Sequence, residues 1–182
     1  MEKKLADQAV KGSMEAFCEL YGMYKDRLYR YALYRLGNPE DAEDAVSECV
    51  LASWQSIGSL RNAEAFGSWI FRILSNCCAR HIRKTIEARE GLSLAARETE
   101  DIQAASYSSK GSPSAAIELA EALSVLSEEE RDIVLLSVIG GFTSKEISAM
   151  TRLTSGAVRS KLSRSLALLR EALLVNVTET ET

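Results

Sequence analysis

From Phe17 onward, apolar and aromatic residues recur at three- and four-residue steps, at Phe17, Leu20, Tyr21, Tyr24, Leu28, Tyr31, Ala32 and Arg35, and the stripe stops at Gly37. That period is one face of a long α-helix, and its tyrosines read as the rim of a core rather than as a stacking platform for bases. Asn38 and Pro39 restart the chain, Asn38 as an N-cap and Pro39 at the first helical position, where its missing N–H costs nothing. The next helix, DAEDAVSECVLASW over residues 41–54, separates an apolar face (Ala42, Val46, Cys49, Val50, Trp54) from an acidic one (Asp41, Asp44, Glu48). Negative charge is favourable near a helix N-terminus, so solvation alone could explain that stripe. A docking face for a basic partner explains it equally well.

After the loop SIGSLRNAEAF, residues 56–66, the segment WIFRILSNCCARHIRK predicts a third helix from Trp69 to Lys84, with Trp69, Ile70, Ile73, Leu74 and Cys77 buried. Arg72, Arg80, Arg83 and Lys84 follow on it with no acidic residue before Glu87. The apolar period then fades between about Glu87 and Pro113 into a segment rich in Ser, Ala and acidic residues, the composition of a linker. Beyond it, Ala115–Leu126 forms a short amphipathic helix. Ser127 with Glu130 forms a capping box, and Ile133, Val134, Leu136 and Val138 supply the buried face of the helix it starts. GGF at 140–142 ends that helix, and Thr143 with Glu146 caps the short SKEISAM helix. TRLTS then turns into a last helix over about Ser155–Leu174, with the apolar stripe Val158, Leu162, Leu166 and Leu169.

Strand-like alternation is absent and only two prolines occur, so the expected fold is all-α: two small helical domains joined by a flexible acidic linker. The expected boundaries are 1–86, 87–114 and 115–175, with a disordered tail at 176–182. Charge divides along the same lines. Residues 1–84 hold 12 basic and 11 acidic side chains, 85–114 hold 3 and 5, and 115–182 hold 7 and 10, within a net charge of −4. Against that background TRLTSGAVRSKLSRSLALLR, residues 151–170, carries Arg152, Arg159, Lys161, Arg164 and Arg170 and no acid. Two short helices across a tight turn, the second one basic, form the pattern of a helix-turn-helix that reads DNA in the major groove.

No apolar run is long enough to span a membrane, and MEKKLADQAV lacks the apolar core of a signal peptide, so the expected location is the cytoplasm, with no membrane insertion. Cys18, Cys49, Cys77 and Cys78 lack paired CxxC spacing and read as small core residues. Cys77 and His81 share a helix face, but no further ligand falls in register, so neither a metal nor a cofactor is expected. His81 is the single histidine, and no nucleophile elbow, phosphate loop or carboxylate pair beside a glycine-rich loop appears. An enzyme is therefore not expected. A stand-alone helix-turn-helix regulator explains the C-terminal half but leaves the DAEDAVSECV helix and the second basic stretch without a role.

Both halves together resemble the sigma-70 type initiation factors of bacterial RNA polymerase, in the two-domain extracytoplasmic-function group. DAEDAVSECVLASW is similar to that family's region 2.2, and FGSWIFRILSNCCARHIRK to its regions 2.3 and 2.4. LSEEERDIVLLSVIGGFTSKEISAMTRLTSGAVRSKLSRSLALLREAL is similar to region 4, and the likeness runs from about Met14 to Leu174. Ser47 stands where the family usually has Gln, Arg80 where it often has Asp, and Ala157 where it usually has Thr or Ser.

The resemblance implies a dissociable, non-catalytic subunit that binds core RNA polymerase and promoter DNA in a stress response, with room for an anti-sigma factor as a further partner. It implies docking on polymerase through Asp41, Asp44, Ser47 and Glu48. Capture of the melted minus-ten strand would fall to Arg72, Asn76, Arg80 and Arg83 on the helix and to Ser59, Arg61 and Asn62 on the loop holding a flipped base. Reading of the minus-thirty-five duplex would fall to Thr154, Ser155, Gly156, Arg159, Ser160, Lys161 and Arg164, while an outer apolar face of region 4 grips the polymerase flap. A tether of about 25 residues reaches roughly 85 Å when extended, enough to bridge sites about two turns of ~34 Å apart.

Overall fold

The computed structural model describes residues 1–93, 119 and 122–179, and every regular element among them is helical. In chain order these are α1 (Glu2–Val10), α2 (Met14–Leu36), α3 (Pro39–Ser56), two 3₁₀ turns (Ile57–Ser59 and Ala63–Ala65), α4 (Phe66–Ser93), α5 (Glu128–Val138), α6 (Ser144–Met150) and α7 (Ser155–Glu179). Residues 122–124 are also helical. Most of the expected linker, and the end of the expected tail, lie outside the described residues.

The first bundle comprises α1 to α4. Ser13 caps α2 by accepting the Ala16 N–H at 3.2 Å, and the helix ends at Gly37, whose φ of 79° is a left-handed conformation that favours glycine. Asn38 caps α3 through the Asp41 N–H at 3.1 Å, with Pro39 directly behind it. Phe66 sits at the centre, fully buried, with Phe17 and Tyr24 presenting ring edges at centroid distances of 6.5 and 5.5 Å. Helix α1 has no counterpart in the expected elements. It buries Leu5, Ala6 and Ala9, one large apolar residue and two alanines, which leave little period to read in the sequence.

Helix α4 differs from expectation in two respects. It continues to Ser93, past Lys84, and its buried face includes Phe71 and Cys78 while Trp69 and Ile73 are only half-covered. Phe71 and Cys78 are buried because α2 and the second bundle cover a side of α4 that a single amphipathic stripe does not predict. Cys49 and Cys77 are buried as expected, but Cys18 is exposed, one position beyond Phe17 and off the buried face.

The second bundle packs α5 to α7 with the helical residues at 122–124. Leu135 is buried in α5, whereas Val138, expected inside, is 65% exposed at the helix end. Gly140 and Gly141 turn the chain there. A Cβ on Gly140 would stand 2.5 Å from both the Leu136 carbonyl oxygen and the Phe142 ring, and Gly141 has a φ of 74°. In α7, Val158 and Leu169 are buried while Leu166 is 43% exposed.

Both capping boxes form. The Thr143 hydroxyl oxygen accepts the Glu146 N–H at 3.3 Å, and the Glu146 carboxylate accepts the Thr143 N–H at 2.8 Å. Hydrogen bonds from the Thr143 hydroxyl and backbone hold the Glu146 carboxyl below its ordinary value. A depressed carboxyl stabilises the fold fully above the unfolded value and loses that contribution as pH falls through the lower, folded one. Thr143→Ala is therefore expected to cost about 1 kcal/mol near neutral pH and to flatten this part of the acid dependence. Urea titrations between neutral and acidic pH measure both.

Candidate polymerase and nucleic-acid interfaces

The turn between α6 and α7 is fixed by short-range hydrogen bonds. Ser148 Oγ donates to the Leu153 carbonyl at 2.8 Å, and Thr154 Oγ1 caps α7 by accepting the Ala157 N–H at 3.2 Å. Ile147 and Val158, both fully buried, pin the two helices together. The first turns of α7 consequently face outward: Thr154, Ser155, Gly156, Arg159, Ser160 and Arg164 are exposed. Arg159 forms no ion pair among the described residues. Lys161 is half-buried, its Nζ 2.7 Å from Glu129 Oε1 at the start of α5. That ion pair was not legible in the sequence, because it depends on how α5 crosses α7.

A second feature gathers the loop and α4. Ser59, Arg61 and Asn62 line one cleft with Ser68, Trp69 and Arg72, of about 300 Å³. The loop is held in shape by its own polar groups: Asn62 Oδ1 accepts the Glu64 N–H at 3.0 Å, and Lys3 of α1 reaches Glu64 at 3.0 Å. At about 100° per residue, Arg72, Asn76 and Arg83 fall within about 40° of one another on α4 and form an exposed row beside the cleft. Arg80 is turned about 80° from Arg72. It binds Glu48 on α3 at 3.2 Å and Cys77 Sγ at the same distance, so it joins the acidic helix instead. Trp69, read from the sequence as buried, is half-exposed at the cleft against Phe66, ring centroids 5.8 Å apart. Its place three residues before Arg72 was the available signal.

On α3, Asp41, Asp44 and Glu48 lie within about 60° of arc, and Ser47 falls about 60° beyond Asp44. Asp41 accepts the Asn38 side-chain amide at 2.6 Å. The His81 ring lies between Asp41 and Glu48, with Nδ1 3.9 Å from the first and Nε2 3.5 Å from the second. Burial works against charge on Glu48, but the hydrogen bond from Arg80, with His81 and Lys84 nearby, outweighs it and holds the carboxyl below its usual range. Asp44 and Ser47 are exposed. Asp44 has no ion pair among the described residues and is the acid of the stripe left open to a partner.

Known proteins resemble this chain in both of its halves. Sigma-70 region 2 matches residues 20–86, and Sigma-70 region 4 matches residues 116–169. The extracytoplasmic-function sigma factor BldN of Streptomyces coelicolor is 29% identical over 174 residues, which cover 93% of this chain and 65% of BldN. SigW of Bacillus subtilis is 25% identical over 182 residues, covering 95% of this chain and 97% of SigW. Among solved structures, CnrH, in complex with the cytosolic domain of CnrY, shares the fold at a TM-score of 0.72 and 24% identity, with 96% of this chain and 97% of that one covered. No helix among the described residues is long and apolar enough to cross a membrane. The acidic helix and the loop and α4 residues of the cleft fall within the first matched region and the helix-turn-helix within the second, in the family's order: the chain belongs to the sigma-70 family, as an extracytoplasmic-function sigma factor that directs RNA polymerase to promoters.

Proposed function

We propose that the two halves divide promoter recognition at the residues just described. The observation that carries this reading is the convergence of the loop residues Ser59, Arg61 and Asn62 with Trp69 and Arg72 on one cleft, while a separate basic helix stands exposed. A cleft of this kind suits one unstacked base: Trp69 offers a stacking face, Asn62 and Ser59 polar edges, and Arg72, Asn76 and Arg83 track the backbone. Flipping a base costs a few kcal/mol, and stacking on an aromatic ring returns about 1–3 kcal/mol, so cations must supply the rest.

The minus-thirty-five duplex falls to Thr154, Ser155, Gly156, Arg159, Ser160, Lys161 and Arg164, with Arg159 the cation best placed for a base edge. Core polymerase docks on α3 through Asp44, flanked by Asp41, Ser47 and Glu48. Residues 1–86 and 115–175 are the working units and the protein acts in the cytoplasm. The apolar groove of about 510 Å³ lined by Tyr34, Leu123, Val138, Leu166 and Leu169 suits either the polymerase flap or an anti-sigma factor, each excluding the other.

In transcription assays with purified core polymerase, Arg159→Ala is expected to lower promoter use by about 1–3 kcal/mol, roughly five- to 150-fold, and to relax sequence preference at one minus-thirty-five position. Core binding should be unchanged. Wild-type transcript levels from this variant would remove α7 as the reader.

A further inference from the structure

The loop that carries Ser59, Arg61 and Asn62 is anchored at every third residue: Ile57, Leu60 and Ala63 are buried, and the three polar residues between them are exposed and line the cleft. Its own hydrogen bonds close the two turns, Leu60 N–H donating to the Ile57 carbonyl at 3.0 Å and Ala65 N–H to the Asn62 carbonyl at 3.0 Å. Such local bonds shape each turn without fixing where it stands against α4. That placement comes from α1, which packs on both turns and on α2 through the face that buries Leu5, Ala6 and Ala9. Two polar ties add to the packing. Lys3 Nζ donates to Glu64 Oε1 at 3.0 Å, directly after Ala63. Glu2 accepts a hydrogen bond from the Tyr24 hydroxyl, and Tyr24 lies so close over Gly67 at the start of α4 that a Cβ there would stand 2.7 Å from its hydroxyl oxygen. The next two residues, Ser68 and Trp69, line the cleft. Helix α1 thus touches both the loop and the root of the helix that together form the cleft, yet it lies outside the residues 20–86 matched by Sigma-70 region 2.

We propose that α1 is a brace for base selection: Lys3, acting through Glu64, and Glu2, acting through Tyr24, are positioning residues that hold the loop against α4 so that the cleft takes one unstacked base and rejects others. The proposal rests on the reading of that cleft as the minus-ten strand site. A base-sized pocket discriminates only when its walls are held to within about half an ångström by supporting contacts. A loop free to shift can rearrange around the wrong base, and specificity is lost before affinity. The cations on α4, Arg72 and Arg83, owe nothing to α1 and keep hold of the strand backbone. Loosening α1 should therefore flatten the choice of base while leaving most strand capture in place.

Core polymerase loaded with the full-length protein, transcribing a promoter library randomised upstream of the start site, reads base preference position by position. Lys3→Glu sets like charge against Glu64 and is expected to lower discrimination at one minus-ten position about two- to fivefold, the scale of an exposed pair, with preference in the minus-thirty-five element unchanged. Tyr24→Phe keeps the ring against Phe66 but frees Glu2, and combined with Lys3→Glu it should lower discrimination at that same position about tenfold. Lys3→Glu with Glu64→Lys restores the tie with its charges exchanged and should restore the preference, which a general loss of stability would not do. Circular dichroism verifies that each variant is folded. Asn62→Ala alters the loop itself and separates the two ways of failing. If Asn62→Ala relaxes one minus-ten position while the α1 variants keep the wild-type preference, or lose transcripts evenly across all positions, the brace is overturned and the cleft stands. If Asn62→Ala also leaves every minus-ten preference intact, the cleft is not the reader and the proposal falls with it.

Discussion

Asp44→Lys is expected to weaken binding to core RNA polymerase by about 3 kcal/mol, roughly a hundredfold, because it sets like charge against the basic surface that the docking reading requires. The magnitude follows from the surroundings of Asp44 within this chain. It is exposed and has no ion pair among the described residues, so replacing it breaks no internal contact, and surface changes of this kind usually shift stability by less than about 0.5 kcal/mol. Glu48 is a poorer probe. Its carboxylate already binds Arg80 at 3.2 Å and lies 3.5 Å from His81, so a lysine there would repel α4 as well as polymerase. Glu48→Gln makes the informative control, since an exposed pair contributes only about 0–1 kcal/mol and its loss should leave most core binding in place. Affinity for purified core by fluorescence, with circular dichroism to verify the fold, measures both variants. A folded Asp44→Lys protein with wild-type affinity would reduce the stripe to a solvated helix face.

The sequence carried most of the local structure and little of what happens between elements. Caps and breaks were legible because their chemistry is local: Asn38 before Pro39, the Ser127 and Thr143 boxes and the turn at GGF each involve residues within a few positions of one another. The same holds for the outward face of α7, which follows from its apolar stripe. Trp69 and Val138, expected inside, lie instead at the cleft and at a helix end, while Phe71 was missed for a different reason. A helix touched on two sides has no single stripe, and α4 and α5 are touched on two sides because the bundles dock. Arg35 shows how such a contact leaves a trace. It occupies a position in the apolar stripe of α2, a place where a charge is tolerated only when paired, and its partner Asp132 lies nearly a hundred residues away. Arg80 and Lys161 make the converse point: basic residues selected by sequence as nucleic-acid ligands are each held by a glutamate from a neighbouring helix.

That capture of Lys161 sharpens the expectation for promoter duplex. Residues 115–182 hold 7 basic and 10 acidic side chains, and Glu128, Glu129 and Glu130 open α5 in the vicinity of α7, with Glu129 occupying Lys161. The free protein thus offers a few cations on a domain whose net charge repels DNA. With about four phosphates neutralised, affinity should fall roughly a hundredfold between 50 and 200 mM salt. The free protein is then expected to bind promoter duplex no more tightly than the roughly micromolar range of non-specific complexes at physiological salt. With core polymerase present, both bundles are held on one DNA, each contact raises the effective concentration of the other, and binding at about 10 nM or tighter is expected. The gain is at least a hundredfold. Fluorescence anisotropy on a promoter fragment, with and without core, measures it directly. Glu129→Gln should move the free protein alone a few-fold toward tighter binding and steepen its salt dependence by about one phosphate, because it releases Lys161 without altering the reading face. Nanomolar, sequence-specific binding by the unassisted chain would contradict both expectations, since four phosphate contacts on an acidic domain cannot supply it and the helix-turn-helix would then be working as a stand-alone regulator.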